Sequence, residues 1–433
     1  MEVAALLDRI RAKQAKIGII GLGYVGLPLA VEFARGGFEV VGFDVDADKV
    51  GQINAGRSYI PDVAEAAIAA VTASGRLRAT TDMTQLAHVD VADVCVPTPL
   101  RKTRDPDLSY VVQALEAVAA QLRPGQLVVL ESTTYPGTTD EVALPMLEAR
   151  GLRVEHDFLL AFSPERVDPG NPTFITRNIP KVVGGSGPAS TEAAVALYSQ
   201  VVASVVSVSS TRVAEMVKLL ENTFRAVNIG LVNEVALMCH KMNIDVWEVI
   251  DAAKTKPFGF MPFYPGPGLG GHCIPIDPYL LSWKARQNGF ECRFIELAGQ
   301  VNGSMPEYVV QRIAAALNSV KKALNGSKVH LFGVAYKRDV NDLRESPALD
   351  ILELLSREGA IVSYTDPYIP TLAHAGRTLE SIPFDRAIDA GCDCAVVATD
   401  HTAFDYTRIA AMALVVDTRN ALKSSMRPSI FRL

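Results

Sequence analysis

Residues 17–26 read IGIIGLGYVG, an apolar run followed by three glycines with the spacing GxGxxG. The run predicts a buried strand, and residues 27–35 after it predict a helix. The first glycine permits a tight turn, the second lets backbone amides approach a pyrophosphate, and the third lets helix pack on strand. The stretch therefore predicts a dinucleotide-binding βα turn. Its expected cofactor contacts are Gly21, Gly23, Tyr24, Val25 and Gly26.

An acidic residue lies where such a turn needs one. A second strand is predicted over 38–43 and is followed by Asp44, 23 residues after Gly21. A carboxylate at this spacing binds the adenosine ribose hydroxyls and repels a 2′-phosphate. The cofactor is therefore predicted to be NAD rather than NADP.

Composition fits a large enzyme. The chain has 433 residues, 49% of them hydrophobic and 21% charged, with a net charge of -6. It is long enough for two or three cores, and its acidic balance argues against nucleic-acid binding. Residues 1–16 predict a short amphipathic helix rather than a signal peptide, and no apolar run could span a bilayer. A cytoplasmic location without a membrane partner is expected.

Six scattered cysteines do not form the framework of a disulfide-rich secreted domain. Cys392 and Cys394 alternate within a predicted strand, and metal binding there would need further ligands. We expect core packing at this pair and no metal site.

The fold class is predicted to be α/β, with two Rossmann-like doubly wound domains joined by a central helical domain. The expected boundaries are 1–204, 205–304 and 305–433. Strands of the first domain are predicted at Lys16–Ile20, 38–43, 91–96, 126–130 and 181–184, with a helix at Ser109–Gln121, which implies a parallel sheet. One long helix or a kinked pair is expected over 213–242, and another helix over 306–324. The second α/β unit is predicted from strands at 328–334, 360–364, 394–398 and 413–417 and a helix at Pro347–Arg357.

A cysteine lies in a glycine-rich loop, residues 268–277, GLGGHCIPID. A thiolate next to a nicotinamide site can add to an aldehyde, and the adduct can lose a second hydride. Cys273 is therefore predicted to be the nucleophile in a two-step oxidation of an alcohol to a carboxylate. The alternative is a cysteine buried as a small hydrophobic residue.

Lys218 and Asn222 lie four residues apart on the predicted helix, so their side chains share one face. Both donate hydrogen bonds to developing negative charge. Glu165 follows a proline near a predicted strand, and Asp277 lies four residues after Cys273. Either carboxylate could activate a hydrolytic water, and the sequence leaves that choice open.

The chain resembles the nucleotide-sugar 6-dehydrogenase family over essentially its whole length. Besides the fingerprint and the cysteine loop, the resemblance rests on VPTP at 96–99, EST at 131–133, SPER at 163–166, GVAYK at 333–337 and DLRES at 342–346. Within the family, residues 263–278 look most like the branch acting on UDP-N-acetylglucosamine. The UDP-glucose branch usually has a lysine three residues after the cysteine, where this chain has Ile276.

The resemblance implies roles for further residues. The family's matching lysine assists the first oxidation, and its asparagine stabilises oxyanions, which implies these roles for Lys218 and Asn222. Cofactor contacts are implied at Lys49, Thr98, Thr133 and Arg344, with Thr133 also in the catalytic set beside Glu165 and Asp277. Substrate contacts are implied at Glu165, Arg166, Lys218, Asn222, Tyr264, Gly266, Gly268, Gly270, His272 and Lys337. His272 is interpreted as a loop or substrate contact rather than the base.

The implied reaction oxidises the C6 hydroxyl of UDP-N-acetylglucosamine to a carboxylate with two NAD, supplying a precursor for surface polysaccharide such as lipopolysaccharide. The uridine diphosphate is expected between the two α/β domains, and the enzyme is expected to be a homodimer or higher homo-oligomer. Alternatives are the same chemistry on UDP-N-acetylmannosamine, UDP-N-acetylgalactosamine or UDP-glucose, a simple β-hydroxyacid dehydrogenase, and a nucleotide-sugar binding module. The NADH formed per substrate, two, one or none, separates these classes.

Overall fold

A computed structural model describes residues 2–60, 63–101, 105–168, 171, 173–425 and 427–433. The chain divides into two compact units. The first comprises Met1–Glu221 and Tyr279–Gly289, and the second comprises Asn222–Pro278 and Phe290–Leu433. Met1, where the N-terminal helix was predicted to begin, lies outside the described residues.

The first unit is built on an eight-stranded sheet. Its strands are β1 (Lys16–Ile20), β2 (Glu39–Phe43), β3 (Leu77–Thr80), β4 (Val91–Val94), β5 (Leu127–Leu130), β6 (Leu159–Phe162), β7 (Lys181–Gly185) and β8 (Val205–Ser207). Their spatial order is β3-β2-β1-β4-β5-β6-β7-β8. The first six strands are parallel and follow the doubly wound order, with the switch point between β1 and β4.

The prediction of a wholly parallel sheet was wrong at β7, which pairs antiparallel with β6. A parallel return needs a crossover, usually a helix. Among the described residues between β6 and β7 there is no helix, and the strand after this irregular connection runs in the opposite direction.

Helices cover both faces of this sheet. They are α1 (Glu2–Arg11), α2 (Gly26–Arg35), α3 (Ala47–Asn54), α4 (Glu65–Ala73), α5 (Ser109–Gln121), α6 (Leu144–Glu148) and α7 (Pro188–Tyr198). Alternate residues of β5 point into different cores: Leu127 and Val129 join one buried cluster, and Val128 and Leu130 join another. A strand covered on both faces needs such a continuous apolar sequence.

Long helices follow the first sheet. They are α8 (Thr211–Lys241), α9 (Val246–Ala253), α10 (Asp277–Gln287) and α11 (Arg293–Ser319). α8 is a single helix, one of the two predicted alternatives. The prediction that a helix begins at Pro306 was wrong, because α11 starts at Arg293 and contains that proline. Proline removes one backbone hydrogen bond and usually ends a helix. Here a buried face that includes Ile295, Met305 and Val309 extends on both sides of it and keeps the helix continuous.

The second unit contains a five-stranded parallel sheet. Its strands are β9 (Lys328–Phe332), β10 (Ile361–Thr365), β13 (Cys394–Val397), β14 (Val415–Asp417) and β15 (Ile430–Arg432), and β11 (Thr371–His374) and β12 (Arg377–Glu380) form a separate hairpin. The helices of this region are α12 (Pro347–Arg357), α13 (Phe384–Ala390) and α14 (Tyr406–Ala410). The order β10-β9-β13-β14-β15 is again doubly wound. Two doubly wound sheets separated by helices confirm the predicted fold class. Within the described ranges, no helix is both long and apolar enough to cross a membrane.

Candidate functional site

The glycine turn after β1 has the geometry that its spacing predicts. Gly21 adopts a φ of +90°, and a Cβ added to Gly26 would lie 1.9 Å from the carbonyl oxygen of Gly21. A Cβ at Gly23 would meet nothing within 4 Å. The turn is thus closed on the side of α2 and open at Gly23, the glycine at which the sequence predicts the approach of a pyrophosphate. Tyr24 is exposed, and Val25 lies at the N-cap of α2.

Asp44 is joined to this turn by hydrogen bonds. Its Oδ2 accepts from the Leu22 N–H at 2.9 Å, and its Oδ1 accepts from the Asp46 N–H at 3.0 Å. The Lys49 Nζ lies 3.9 Å from Oδ2. Each carboxylate oxygen has two acceptor positions, so both can still accept from ribose hydroxyls. The Tyr59 hydroxyl, which sequence reasoning missed, donates to the Leu22 carbonyl at 2.6 Å.

Three predicted site residues meet after β5. The Lys218 Nζ, on α8, donates to the Thr133 hydroxyl at 2.5 Å. The Thr98 hydroxyl donates to the Thr133 carbonyl. Lys218 is 8% exposed, so its ammonium is largely withdrawn from water. The structure therefore brings the predicted catalytic lysine to two predicted cofactor contacts.

Glu165 is held on both of its oxygens. Its Oε1 accepts from the N–H groups of Arg166 at 2.7 Å and Val167 at 2.8 Å, and its Oε2 lies 3.3 Å from the Lys181 Nζ. Burial acts to raise the pKa of Glu165, but the Lys181 ammonium, the two amides and Lys218 outweigh it, and the pKa lies below its ordinary value. The carboxylate is therefore ionised at neutral pH.

The Arg166 guanidinium is engaged within the first unit. It donates to Glu221 on α8 at 2.5 Å and to the carbonyl of Pro180 at 2.8 Å. These bonds fix the loop that presents Glu165. The substrate contact predicted for Arg166 is accordingly limited to donors that remain after this ion pair.

A buried polar cluster, which sequence reasoning missed, lies behind Glu165. The Lys181 Nζ donates to Glu131 at 2.8 Å, and the Tyr198 hydroxyl lies 2.5 Å from Glu131 and 3.0 Å from Asp93. Asp93, Cys95 and Glu131 have ligand atoms close enough together to hold a metal ion. Lys181 and Tyr198 already bond the carboxylates, which makes the cluster a hydrogen-bonded network. Its signal in the sequence was polar residues inside or directly after buried strands.

In the second unit, the cysteine loop leads into α10. Cys273 is partly buried and forms no disulfide with another described cysteine, and its carbonyl accepts from the N–H groups of Ile276 at 3.0 Å and Asp277 at 2.8 Å. The Asp277 Oδ2 accepts from the Asn222 Nδ2 at 2.6 Å. The turn that leads into α10 thus carries the predicted nucleophile, and α10 begins with a carboxylate that is joined to the predicted asparagine.

The glycines of this loop allow a close approach to Tyr336. Gly271 has a φ of +88°, and a Cβ there would lie 2.8 Å from the Tyr336 ring; at Gly270 the distance to the Tyr336 Cβ would be 2.7 Å. The Gly271 N–H donates to the Arg344 carbonyl at 2.9 Å. The loop is therefore built against the two motifs at 333–337 and 342–346.

A relay of side-chain amides holds the backbone at Gly266, two residues before the cysteine loop. The Gly266 N–H donates to the Asn233 Oδ1 at 3.0 Å, and the Asn233 Nδ2 donates to the Asn302 Oδ1 at 2.8 Å. The Asn302 Nδ2 donates in turn to the Ala226 carbonyl at 3.1 Å. Both asparagines are buried, so each amide has only one orientation that satisfies its partners. Gly268 is also predicted as a substrate contact. A Cβ added to it would lie 3.0 Å from the Cβ of Pro347.

The remaining predicted contacts are dispersed over the second unit. The Arg344 guanidinium binds Asp342 at 2.6 Å, and Tyr264 stacks on Trp247 with its ring 45% exposed. Lys337 and His272 are partly buried. Asp366 holds the turn before Lys337, because its Oδ2 accepts from the N–H groups of Val334 at 2.7 Å and Ala335 at 3.0 Å.

Arg419, which sequence reasoning missed, follows β14 at the carboxyl edge of the second sheet. Its Nη1 lies 2.9 Å from a Cβ added to Gly266, and its Nε donates to the Ala398 carbonyl at 2.9 Å. Burial and the nearby Arg338 lower the pKa of Arg419 to about 10. The Asp417 carboxylate acts on this pKa in the opposite direction and accepts from the backbone N–H of Arg419 at 3.0 Å. A desolvated cation in this position suits an anionic ligand.

Comparison with known proteins gives a consistent result. Three models of the UDP-glucose/GDP-mannose dehydrogenase family match: the NAD binding domain over 15–202, the central domain over 212–304 and the UDP binding domain over 330–424. The UDP-N-acetyl-D-glucosamine 6-dehydrogenase of Pseudomonas aeruginosa is 38% identical over 82% of this chain and 84% of its own length. The NDP-N-acetyl-D-galactosaminuronic acid dehydrogenase of Ralstonia nicotianae is 35% identical over 93% of this chain and 95% of its own. The solved UDP-D-ManNAc dehydrogenase of Pyrococcus horikoshii superposes with a TM-score of 0.87 at 35% identity, covering 96% of this chain and 98% of that one.

Proposed function

The chain belongs to the UDP-glucose/GDP-mannose dehydrogenase family, and on that premise we propose that it oxidises the C6 hydroxyl of UDP-N-acetylglucosamine to a carboxylate. The product, UDP-N-acetylglucosaminuronate, would serve surface polysaccharide synthesis. The observation that carries the proposal is the loop in which Cys273 lies four residues before Asp277, whose carboxylate accepts a hydrogen bond from Asn222 on α8. A simple β-hydroxyacid dehydrogenase needs neither this thiol nor a UDP binding domain.

NAD, when bound, supplies the hydride acceptor for both oxidations. We assign its pyrophosphate to the turn at Gly21–Gly26 and its adenosine ribose to Asp44. Further assigned contacts are Lys49, Thr98, Thr133 and Arg344. The open space above Gly23 and the free acceptor positions of Asp44 support this assignment.

In the first step, we assign the C6 hydroxyl proton to a water that the Lys218 ammonium holds, or to Lys218 itself once it has lost its own proton and is a neutral amine. The C6–H bond breaks with departure of a hydride, which leaves the aldehyde. The hydrogen bond from Lys218 to Thr133 supports this role, because it fixes the ammonium next to an assigned cofactor contact.

In the second step, the Cys273 thiolate adds to the aldehyde carbon, and loss of a second hydride gives a thioester. Asn222 stabilises the oxyanion as its amide donates toward developing negative charge. Water then attacks the thioester, which releases the carboxylate and restores the thiol. The 2.6 Å bond between Asn222 and Asp277 supports a joint action of amide and carboxylate in this step.

The diphosphate of the substrate requires cations. We assign Lys337 and Arg419 to it, supported by the desolvated guanidinium of Arg419 beside Gly266. The sugar contacts remain those predicted from the sequence: Glu165, Arg166, Lys218, Asn222, Tyr264, Gly266, Gly268, Gly270 and His272.

One residue of the cysteine loop bears on the identity of the sugar. Ile276 replaces the lysine of the UDP-glucose branch, which favours an acetamido group. The relatives described above are named for the gluco, galacto and manno forms of the N-acetylated sugar. The manno and galacto epimers therefore remain the alternative substrates.

We also propose a homodimer or a higher homo-oligomer, in the cytoplasm. Leu220, Phe224, Leu231 and Met238 are each about half exposed along one stripe of α8. Their spacing of four and seven residues is that of helix pairs. A monomer in light scattering would contradict this proposal and leave the chemistry intact.

NADH counted per molecule of sugar consumed, across a panel of UDP-sugars at equal concentration, tests the function. Two NADH per UDP-N-acetylglucosamine and a uronate product are expected. One NADH would indicate a simple alcohol dehydrogenase, and no turnover with any UDP-sugar would contradict the proposal.

A further inference from the structure

The buried cluster behind Glu165 contains a single cation between two carboxylates. The Lys181 Nζ lies 2.8 Å from Glu131 and 3.3 Å from Glu165, and its side chain is 6% exposed. It also lies 5.2 Å above the centre of the Tyr198 ring. Lys181 therefore connects Glu165, the partly buried end of the cluster, with Glu131 in its interior.

The hydrogen bonds in the interior of the cluster are complete only when one of its carboxyls holds a proton. The Tyr198 hydroxyl is in hydrogen-bonding distance of both Glu131 and Asp93, yet it has one hydrogen to donate. One of the two carboxyls must therefore be protonated to complete both bonds. Burial raises the pKa of Asp93 well above its ordinary value, and it also raises that of Glu131.

The charged side chains whose influence on Glu165 is described come from different elements. Lys181 lies on β7, Glu131 follows β5, and Lys218 lies on α8. The buried Cys95 thiol follows β4, and burial raises its pKa, so it contributes no charge. Two ammonium groups and two backbone amides thus act on one carboxylate.

We propose that Lys181 is a positioning residue, which fixes Glu165 as an oriented hydrogen-bond acceptor for the sugar or water and not as the group that takes up a proton. This role rests on the function proposed above. It resolves the choice that the sequence left open between two carboxylates, because a carboxylate bound on both oxygens is a poor proton acceptor. Asp277 is then the carboxylate that activates the hydrolytic water.

The protonation of Glu165 can be measured without turnover. Infrared difference spectra between the wild type and Glu165→Gln, recorded as a function of pH, isolate the carboxylate band of this residue. We expect its midpoint below 4.5, the ordinary value for glutamate. A wild-type midpoint at or above that value would overturn the proposal.

Removal of the cation should move this midpoint. In Lys181→Met we expect a rise of about one pH unit or more, since a neighbouring opposite charge lowers a carboxylate pKa by roughly that amount, and Lys181→Arg should restore it. The double variant Lys181→Met with Glu131→Gln removes both charges of the buried ion pair, so that Glu131 does not remain as an unpaired buried charge that could unfold the protein. Lys16→Met, which breaks the exposed ion pair with Glu39, is the control.

Kinetic measurements then distinguish a positioning role of Lys181 from a role in protein stability alone. In the folded double variant, we expect the acidic limb of the kcat profile to move to higher pH, with rescue in Lys181→Arg. Unchanged kcat, KM and pH profile would overturn the role of Lys181. If no UDP-sugar is oxidised, the proposed function fails, whereas the infrared result stands by itself.

Discussion

Lys218 and Thr133 are joined by a 2.5 Å hydrogen bond from the ammonium to the hydroxyl. The same threonine accepts through its carbonyl from Thr98. Thr133, itself an assigned cofactor contact, thus connects the assigned first-step group on α8 with a second assigned cofactor contact, Thr98.

Removal of this ammonium should slow the first hydride transfer. We expect Lys218→Met to lower kcat by about a hundredfold or more, the usual contribution of a positioned acid or base. The primary isotope effect with C6-deuterated substrate should rise, because hydride transfer becomes rate-limiting. Thr133→Val keeps the lysine but removes the hydroxyl that accepts its hydrogen bond. Its kcat should lie between those of the wild type and Lys218→Met. An unaltered isotope effect in Lys218→Met would contradict the assignment.

Loss of the thiol should block the second oxidation. Cys273→Ser should nearly abolish uronate formation while NAD and substrate binding stay within severalfold, because neither ligand needs the thiolate for binding. Product analysis and equilibrium binding check this. Cys392→Ser is the matched control, since burial raises the pKa of that thiol to about 11 and leaves it unreactive. Full uronate turnover in Cys273→Ser would exclude the covalent mechanism.

Asp44 should contribute both to NAD affinity and to discrimination against NADP. We expect Asp44→Ala to weaken NAD binding by about 1.5 to 3 kcal/mol, the range for hydrogen bonds to charged groups, and to narrow the difference from NADP. Titration calorimetry with both cofactors measures this. Asp46→Ala is the control, because it removes the helix cap of α3 and leaves the Asp44 carboxylate at the glycine turn in place. Equal use of NADP by the wild type would show that Asp44 is misplaced.

Substrate preference should follow the loop at Ile276. UDP-N-acetylglucosamine should exceed UDP-glucose by roughly tenfold or more in kcat/KM, since a methyl-sized difference in a pocket contributes about 1 to 3 kcal/mol. Initial rates with both sugars measure the ratio, and Ile276→Lys should reduce it. Equal turnover of UDP-glucose by the wild type would refute the branch assignment, and preference for the manno or galacto epimer would be a narrower failure.

Glu215 should make stability depend on pH. Burial raises its pKa to about 7, although it accepts from the N–H groups of Gly137 and Thr139 and from the Thr139 hydroxyl. The folded protein therefore binds this proton more tightly than the unfolded chain, and the free energy of unfolding should fall as pH rises from about 4.5 toward 7. In Glu215→Gln, thermal unfolding curves should lose this part of the slope. An unchanged slope would contradict the raised pKa.

Much of the fold was predictable because its signals are local. The glycine turn, α5 and α12 follow from spacing within a short stretch, and the bounds of both helices agree with the predictions. The start of α11 was not predictable, because Pro306 is a helix breaker by itself and is retained only through its buried neighbours. The antiparallel direction of β7 was not predictable either, because it depends on the path of the chain between β6 and β7.

The candidate site divides in the same way. Cys273, Lys218 and Asp44 could be predicted as site residues from motifs and from spacing in the sequence. Lys181, Glu131 and Arg419 were missed because their significance depends on desolvation and on partners far away in the chain. Lys181 lies 50 residues from Glu131 in sequence, and only the folded sheet brings them to 2.8 Å.

The amide relay beneath the cysteine loop also affects how the protein ages. Asn302 precedes Gly303, and an asparagine followed by glycine deamidates readily, since no side chain hinders attack of the next backbone nitrogen on the amide. In the native helix that nitrogen cannot reach the amide carbon, because the helical backbone and the bonds to Asn233 and Ala226 hold both in place. In an unfolded chain the protection is lost, and the resulting aspartate would present a negative charge where Ala226 needs a donor. Chemical damage at this one position would therefore accumulate during storage in partly unfolded preparations and would prevent correct refolding of the loop that carries Cys273.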